Sequence, residues 1–137
     1  MNTFRDKKKM KDTELNEESE LHSIEVKSIH NAEHYIWGDH CDGWHLLKTK
    51  TLSVIREKMP PKTSEQLHFH HHARQLFYIL SGRATFEIEE KIIIVNATES
   101  LQIAKGTKHR IANKGKDDLN FLVISEPASH GDRQNVS

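Results

Sequence analysis

The sequence of 137 residues holds a single cysteine, Cys41. No intrachain disulfide can form, which fits a reducing, cytoplasmic environment. Within His40-Cys41-Asp42-Gly43 the thiol reads either as reactive or as a small, partly buried residue near a turn, and the second is the default for a free cysteine. There is no excess of charge: 20 Lys+Arg face 20 Asp+Glu, and the formal net charge is zero with histidine neutral. A nucleic-acid partner, which calls for a basic surface, is therefore not expected, nor is a general pull toward anionic membranes. No apolar run approaches the ~18 residues of a membrane helix. The charged N-terminus shows no apolar segment of a secretory leader. No internal repeat is present. Hydrophobic residues make up only 35%, diluted by the polar N-terminus. A chain of this length still buries a core as one domain without cross-links.

What the sequence does have is histidine, eleven in all. Their protonation near about pH 6 would turn a neutral protein distinctly cationic. It also has many short apolar runs broken by turn residues. Residues 1–22 read as a polar tail, from Lys7-Lys8-Lys9 to Glu17-Glu18, without an amphipathic stripe. Residues 23–126 read as the folded domain, and 127–137 as a C-terminal tail. Strands are expected at Ile24–Ile29, His34–Trp37, Trp44–Leu47, Leu52–Met59, Leu76–Leu80, Arg83–Ile88, Lys91–Val95, Ser100–Ile103, His109–Ala112 and Leu119–Ser125. Pro60-Pro61 stops the fourth of these, because proline cannot extend a ladder. Glu89-Glu90 is a tight hairpin turn without glycine. Short strands at close spacing, with no strong helix between them, predict an all-β antiparallel sandwich or barrel.

His68 and His70 lie two apart on an extended segment, so their side chains share one face. His109 sits 39 residues downstream of His70, at the end of another apolar stretch. Three imidazoles and the amide oxygen of Gln75 can close around a divalent transition metal. If they converge, this is a metal-centred small barrel.

The stretch from Lys62 to Asn113 resembles the cupin superfamily. Its first motif runs Gly, five residues, His-x-His, three or four residues, Glu, six residues, Gly. His68, His70 and Gly82 match it, Gln75 takes the Glu place and Lys62 the leading Gly. Its second motif runs Gly, five residues, Pro-x-Gly, two residues, His, three residues, Asn. Gly106, His109 and Asn113 match, while Thr98 and Ala104 replace Gly and Pro. The chain is also similar to a group of small single-domain cupins labelled sugar-isomerase-like or mannose-6-phosphate isomerase-like, through Trp44-His45, Met59-Pro60-Pro61 and Ser129–Arg133. That label is a fold analogy rather than an activity. The resemblance implies a double-stranded β-helix (jelly-roll) barrel with a metal at its centre and His68, His70, Gln75 and His109 as ligands.

Glutamine in place of glutamate has a chemical consequence. Three neutral imidazoles and an amide leave the ion its full 2+ charge, so it binds more weakly but is a stronger Lewis acid. Gln75 reads either as a ligand or as a hydrogen-bonding group behind the ligands. Zinc, iron, manganese, nickel, cobalt and copper all suit one such site. His71 and His72 read as solvated loop residues.

Phe77 and Ile79 share the parity of Gln75 and are expected beside the metal. On Leu52–Met59 both faces mix apolar and charged residues. An inward Arg56 would suit an anionic substrate, an inward Glu57 proton transfer. Trp44 reads as a cavity wall or as core. His130, Asp132 and Arg133 read as a cap on the barrel mouth or as a frayed tail.

The expectation is a cytoplasmic, homodimeric metalloenzyme acting on a small oxygenated molecule by dioxygenase, isomerase or lyase chemistry. The alternative is a non-catalytic small-molecule sensor, binding or storage protein. Apolar sheet edges at 24–37 or 119–125 would be protected by pairing in a dimer.

Overall fold

A computed structural model describes residues 24–129 and 131–137. The tail expected over 1–22 lies outside these residues, as does His130. The described residues contain strands and turns but no helix. In chain order the strands are β1 (Glu33–Trp37), β2 (Cys41–Lys48), β3 (Ser53–Met59), β4 (Thr63–Ser64), β5 (His68–His70) and β6 (Arg74–Ser81). They continue with β7 (Arg83–Ile88), β8 (Lys91–Asn96), β9 (Ser100–Ile103), β10 (His109–Asn113), β11 (Leu119–Glu126) and β12 (Arg133–Asn135).

One six-stranded sheet runs β1-β2-β3-β11-β6-β9. The other runs β12-β5-β10-β7-β8, with β4 also on β10. Strands distant in sequence become neighbours in both sheets, as in a double-stranded β-helix. Alternation along each strand sends one face inward. On β11 Leu119, Phe121, Val123 and Ser125 are buried, and on β6 so are Gln75, Phe77 and Ile79. Phe77, Ile79, Phe86, Ile111, Leu119, Phe121 and Met59 fill the middle of the barrel. Phe77 packs edge-on against Phe86, with centroids 5.1 Å apart.

The motif residues that are not histidine shape the turns. Gly82 has a φ of +89°, and a Cβ there would press on the Asp118 carbonyl. Gly106 also has a positive φ and donates its N–H to the His70 carbonyl at 2.7 Å. Asn113 is buried. Its amide donates to the Met59 and Asp117 carbonyls, and its Oδ1 accepts from Gly115 N–H. Lys62 and Thr98, which stand where the motifs have glycine, keep the left-handed backbone with φ of 70° and 72°. Glu89 and Glu90 do likewise, with φ of 48° and 74°, the geometry a two-residue hairpin turn demands.

Two expectations are corrected. Ile24–Ile29 forms no strand. The Asn31 side chain donates to the Val26 carbonyl and accepts from Ser28 N–H, so local side-chain bonds make a turn in competition with a ladder. Residues 119–125 are not a sheet edge, because β11 pairs with both β3 and β6.

Candidate metal centre

The hairpin of β1 and β2 leads into β3, whose inward residues are decided by register. Glu57 lies opposite Gly43 on one side and Phe121 on the other. Both neighbours face the barrel interior, and so does Glu57. Arg56 and Trp44 are paired to each other on the outer face. Neither lines the cavity. Trp44 instead lies against the His34 ring at 5.3 Å, and Arg56 reaches toward Asn120. Ile79 does not line the cavity either. It shares the parity of Gln75 but lies two residues past Phe77, fully buried in the core. Of the expected pocket residues, Glu57 and Phe77 face the cavity.

His68 and His70 come from β5 and His109 from β10, which pairs with β5 at His109 and His68. All three are buried, and one nitrogen of each lies within 4.8 Å of the others. Ring centroids are 4.4 Å apart for His68 and His109 and 5.1 Å for His68 and His70. Backbone carbonyls set the ring orientations: Gln66 O lies 2.8 Å from His68 Nδ1, and Thr107 O lies 2.8 Å from His109 Nδ1. A carbonyl only accepts, so Nδ1 carries the proton in both rings and Nε2 keeps its lone pair. His109 Nε2 is buried without a hydrogen-bond partner. His70 Nδ1 is also without one, 3.8 Å from Asp132 Oδ2.

Gln75, on β6, lines the same cavity as His68 and His70. Its Nε2 donates to Ser125 Oγ at 3.0 Å, and its Oε1 is buried with no partner. A buried imine nitrogen and a buried amide oxygen without hydrogen-bond partners are each uncommon in a folded interior. Both are lone-pair donors, and they fit a divalent cation.

Burial is the main cause that pushes the His68 imidazole down to about 3. It also leads in bringing His70 down to about 4 and in lowering His109. The neutral rings that coordination requires are thus favoured by the fold.

His68, His70 and Gln75 line a cavity of about 430 Å³. Its lining combines the apolar Trp37, Ile55, Phe77 and Val123 with the polar Tyr35, Glu57, Glu65 and Arg133. Tyr35 donates its hydroxyl hydrogen to Glu57 Oε2 at 2.7 Å. Gly43 makes this reach feasible, because a side chain there would collide with the Tyr35 ring. Burial raises Glu57 to about 7 and Glu65 to about 8. Tyr35, Trp37 and Glu65 escaped the sequence reading. They lie on β1 and in a loop, and only sheet register brings them to β5.

The C-terminal segment closes over this end. β12 pairs with β5, and Ser129, Gly131 and Arg133 line the cavity. Asp132 accepts from the N–H groups of His71, His72 and Ala73. The His71 and His72 side chains are exposed. Burial opposes the Asp132 charge, but the hydrogen bonds from Ala73 and His72 outweigh it and hold the carboxyl below its ordinary value. Cys41 is buried in the core cluster.

Fold and site define a small double-stranded β-helix with a buried three-histidine group at its centre. The family model of the cupin domain matches residues 55–125, and the chain belongs to that family. It is 32% identical over 78 residues to the oxalate-binding protein of Thermotoga maritima, covering 57% of this chain and 64% of that protein. A mannose-1-phosphate guanylyltransferase of Escherichia coli O157:H7 is 31% identical over 91 residues, which span 65% of this chain but only 18% of that enzyme. Among solved structures, a Thermotoga maritima protein described as a predicted oxalate decarboxylase superposes with a TM-score of 0.70 at 25% identity. That match covers 76% of this chain and 100% of the other.

Proposed function

We propose that this chain binds one divalent transition metal through His68, His70, His109 and Gln75 and uses it to hold a small oxygenated, anionic molecule. The observation that carries this reading is the set of buried lone pairs without partners, His109 Nε2 and Gln75 Oε1, together with three imidazoles within 4.8 Å of one another, of which His68 and His70 line a cavity of about 430 Å³ with Gln75. With no carboxylate among the four, an anionic ligand supplies the missing negative charge. When bound, the metal supplies Lewis-acid or redox activation of that ligand, the basis of isomerase, lyase or dioxygenase chemistry. Zinc, iron, manganese, nickel, cobalt and copper all match the donor set. The chain's own residues orient the ligand, exclude water through Phe77 and Val123, and present the carboxyl groups of Glu57 and Glu65 to the cavity.

A second reading, a binding protein without turnover, is favoured by the name of the Thermotoga maritima oxalate-binding relative. A homodimer is supported by β1, which pairs only with β2 among the described residues and exposes Ile36. The deciding experiment is metal analysis of untagged protein purified without added metal, followed by calorimetric titration with oxalate. About one metal per chain and oxalate binding lost in His68→Ala/His109→Ala support the proposal. Full metal retention in that double variant overturns it. Turnover of the bound anion separates the enzyme from the binder.

A further inference from the structure

We propose that Glu57, oriented by Tyr35, is the group that carries a proton to the anionic ligand of this cavity. The inference rests on the anion-binding reading above. Glu57 faces inward because its register partners are Gly43 and Phe121, and it lines the same cavity as His68, His70 and Gln75. Its Oε2 is taken by the Tyr35 hydroxyl, which leaves Oε1 for a ligand. Glu65, the other carboxyl that lines this cavity, is differently engaged. It accepts the Ile111 N–H and lies 4.0 Å from His68 Nδ1 and 3.8 Å from Arg133 Nη1. Those contacts tie Glu65 to β10, β5 and β12, whereas the Tyr35 hydroxyl is a donor that fixes the orientation of Glu57.

An anion beside an ionised buried carboxylate is repelled, and the repulsion is relieved when the carboxyl takes a proton. A protonated Glu57 then has an O–H to donate to the ligand oxygen. The proton comes from solvent, resides on Glu57 Oε1 and is shared with the ligand, and no bond to carbon changes in this step. The titratable and charged groups around Glu57 are Tyr35 from β1, Cys41 and His45 from β2, Glu65 ahead of β5, His68 and His70 from β5, and Arg133 from β12. β11 presents Val123 to the cavity and the core residue Phe121 beside Glu57. Tyr35 is a positioning residue, since its hydroxyl stabilises the ionised form of Glu57.

The test is calorimetric titration of the zinc-loaded full chain with oxalate, in buffers of different ionisation heat and from pH 6 to 9. The parent is expected to take up close to one proton per oxalate at pH 8. Its affinity should fall about tenfold per pH unit above the Glu57 midpoint, the slope of one linked proton. Glu57→Gln is expected to take up none and to bind with little pH dependence. Glu65→Gln should keep the uptake. Tyr35→Phe should keep it and move the midpoint to higher pH, a shift that a purely structural tie between β1 and β3 would not produce. Equal uptake in parent and Glu57→Gln assigns the proton to solvent displaced from the metal and overturns the proposal. So does oxalate binding by the parent with no uptake. Zinc retained without any oxalate binding overturns the anion reading and this inference together, which distinguishes the two failures.

Discussion

Gln75 and Ser125 face each other across β6 and β11, and the Gln75 amide nitrogen donates to the Ser125 hydroxyl at 3.0 Å. That bond fixes which end of the amide is available. Because Nε2 is engaged, Oε1 remains as the lone-pair donor. Ser125→Ala removes the acceptor and frees the amide to turn, so metal affinity should fall by about tenfold, the low end for partners behind metal ligands. Gln75→Glu should tighten the metal, since a carboxylate neutralises part of its charge. Chelator competition at pH 7.5 measures both. Equal affinity in the parent, Gln75→Glu and Gln75→Ala would remove Gln75 from the ligand set.

Acid should release the metal. Protons compete for the imidazoles, whose ordinary pKa is about 6.5. Burial already depresses His68 to about 3 and His70 to about 4 in the folded chain. For a depressed base the stability is fully present above the unfolded pKa and is lost as pH falls through the folded values. Occupancy should therefore hold through about pH 5 and decline as pH falls through about 4 to 3, with more than one proton taken up per metal released. Retention of metal below about pH 3 with chelator present would contradict a histidine-dominated site.

Glu57 should act in the opposite direction. Its pKa rises from 4.5 to about 7 on burial. A raised carboxyl contributes stability below its unfolded pKa and loses it as pH climbs through the folded one. In metal-free protein Glu57→Gln should therefore lose less thermal stability than the parent between pH 5 and 8. Melting curves at those two values decide this; parallel losses would mean that Glu57 titrates normally.

Asp132 is expected to matter more than its place near the C-terminus implies. Its carboxylate satisfies the N–H groups of His71, His72 and Ala73, on the loop that follows His70. Asp132→Ala leaves those donors without their partner and should cost about 1–3 kcal/mol, with a weaker metal site besides. Urea unfolding gives the first number and metal competition the second. An unchanged midpoint would show that the loop holds itself.

Thr98 adopts a φ of 72°, which costs a β-branched residue on the order of 1–2 kcal/mol. Thr98→Gly should relieve part of this and raise the melting temperature, even though glycine usually weakens a fold. Val95→Gly on β8, where the side chain is buried, is the control that should lower it.

Legible in the sequence alone were β1 to β3 and β6 to β11, though neither β4 nor β12, together with the turn glycines and the placing of His68 and His70 on one face. These are local properties, because the two-residue period of a strand assigns sides without reference to any other segment. It also carried the histidine and asparagine spacing that marks the family. It could not assign a side to β3, where Arg56 and Glu57 compete on equal terms; only pairing with Gly43 and Phe121 turned Glu57 inward. Nor could it place Trp44 and Ile79, whose parity and chemistry suited a cavity that the barrel built elsewhere. Tyr35 reaching Glu57 across 22 residues, and Asp132 reaching back to the loop after His70, depend on sheet register. Contacts between segments so far apart are fixed by how the sheets pair and close, and no local pattern records that choice.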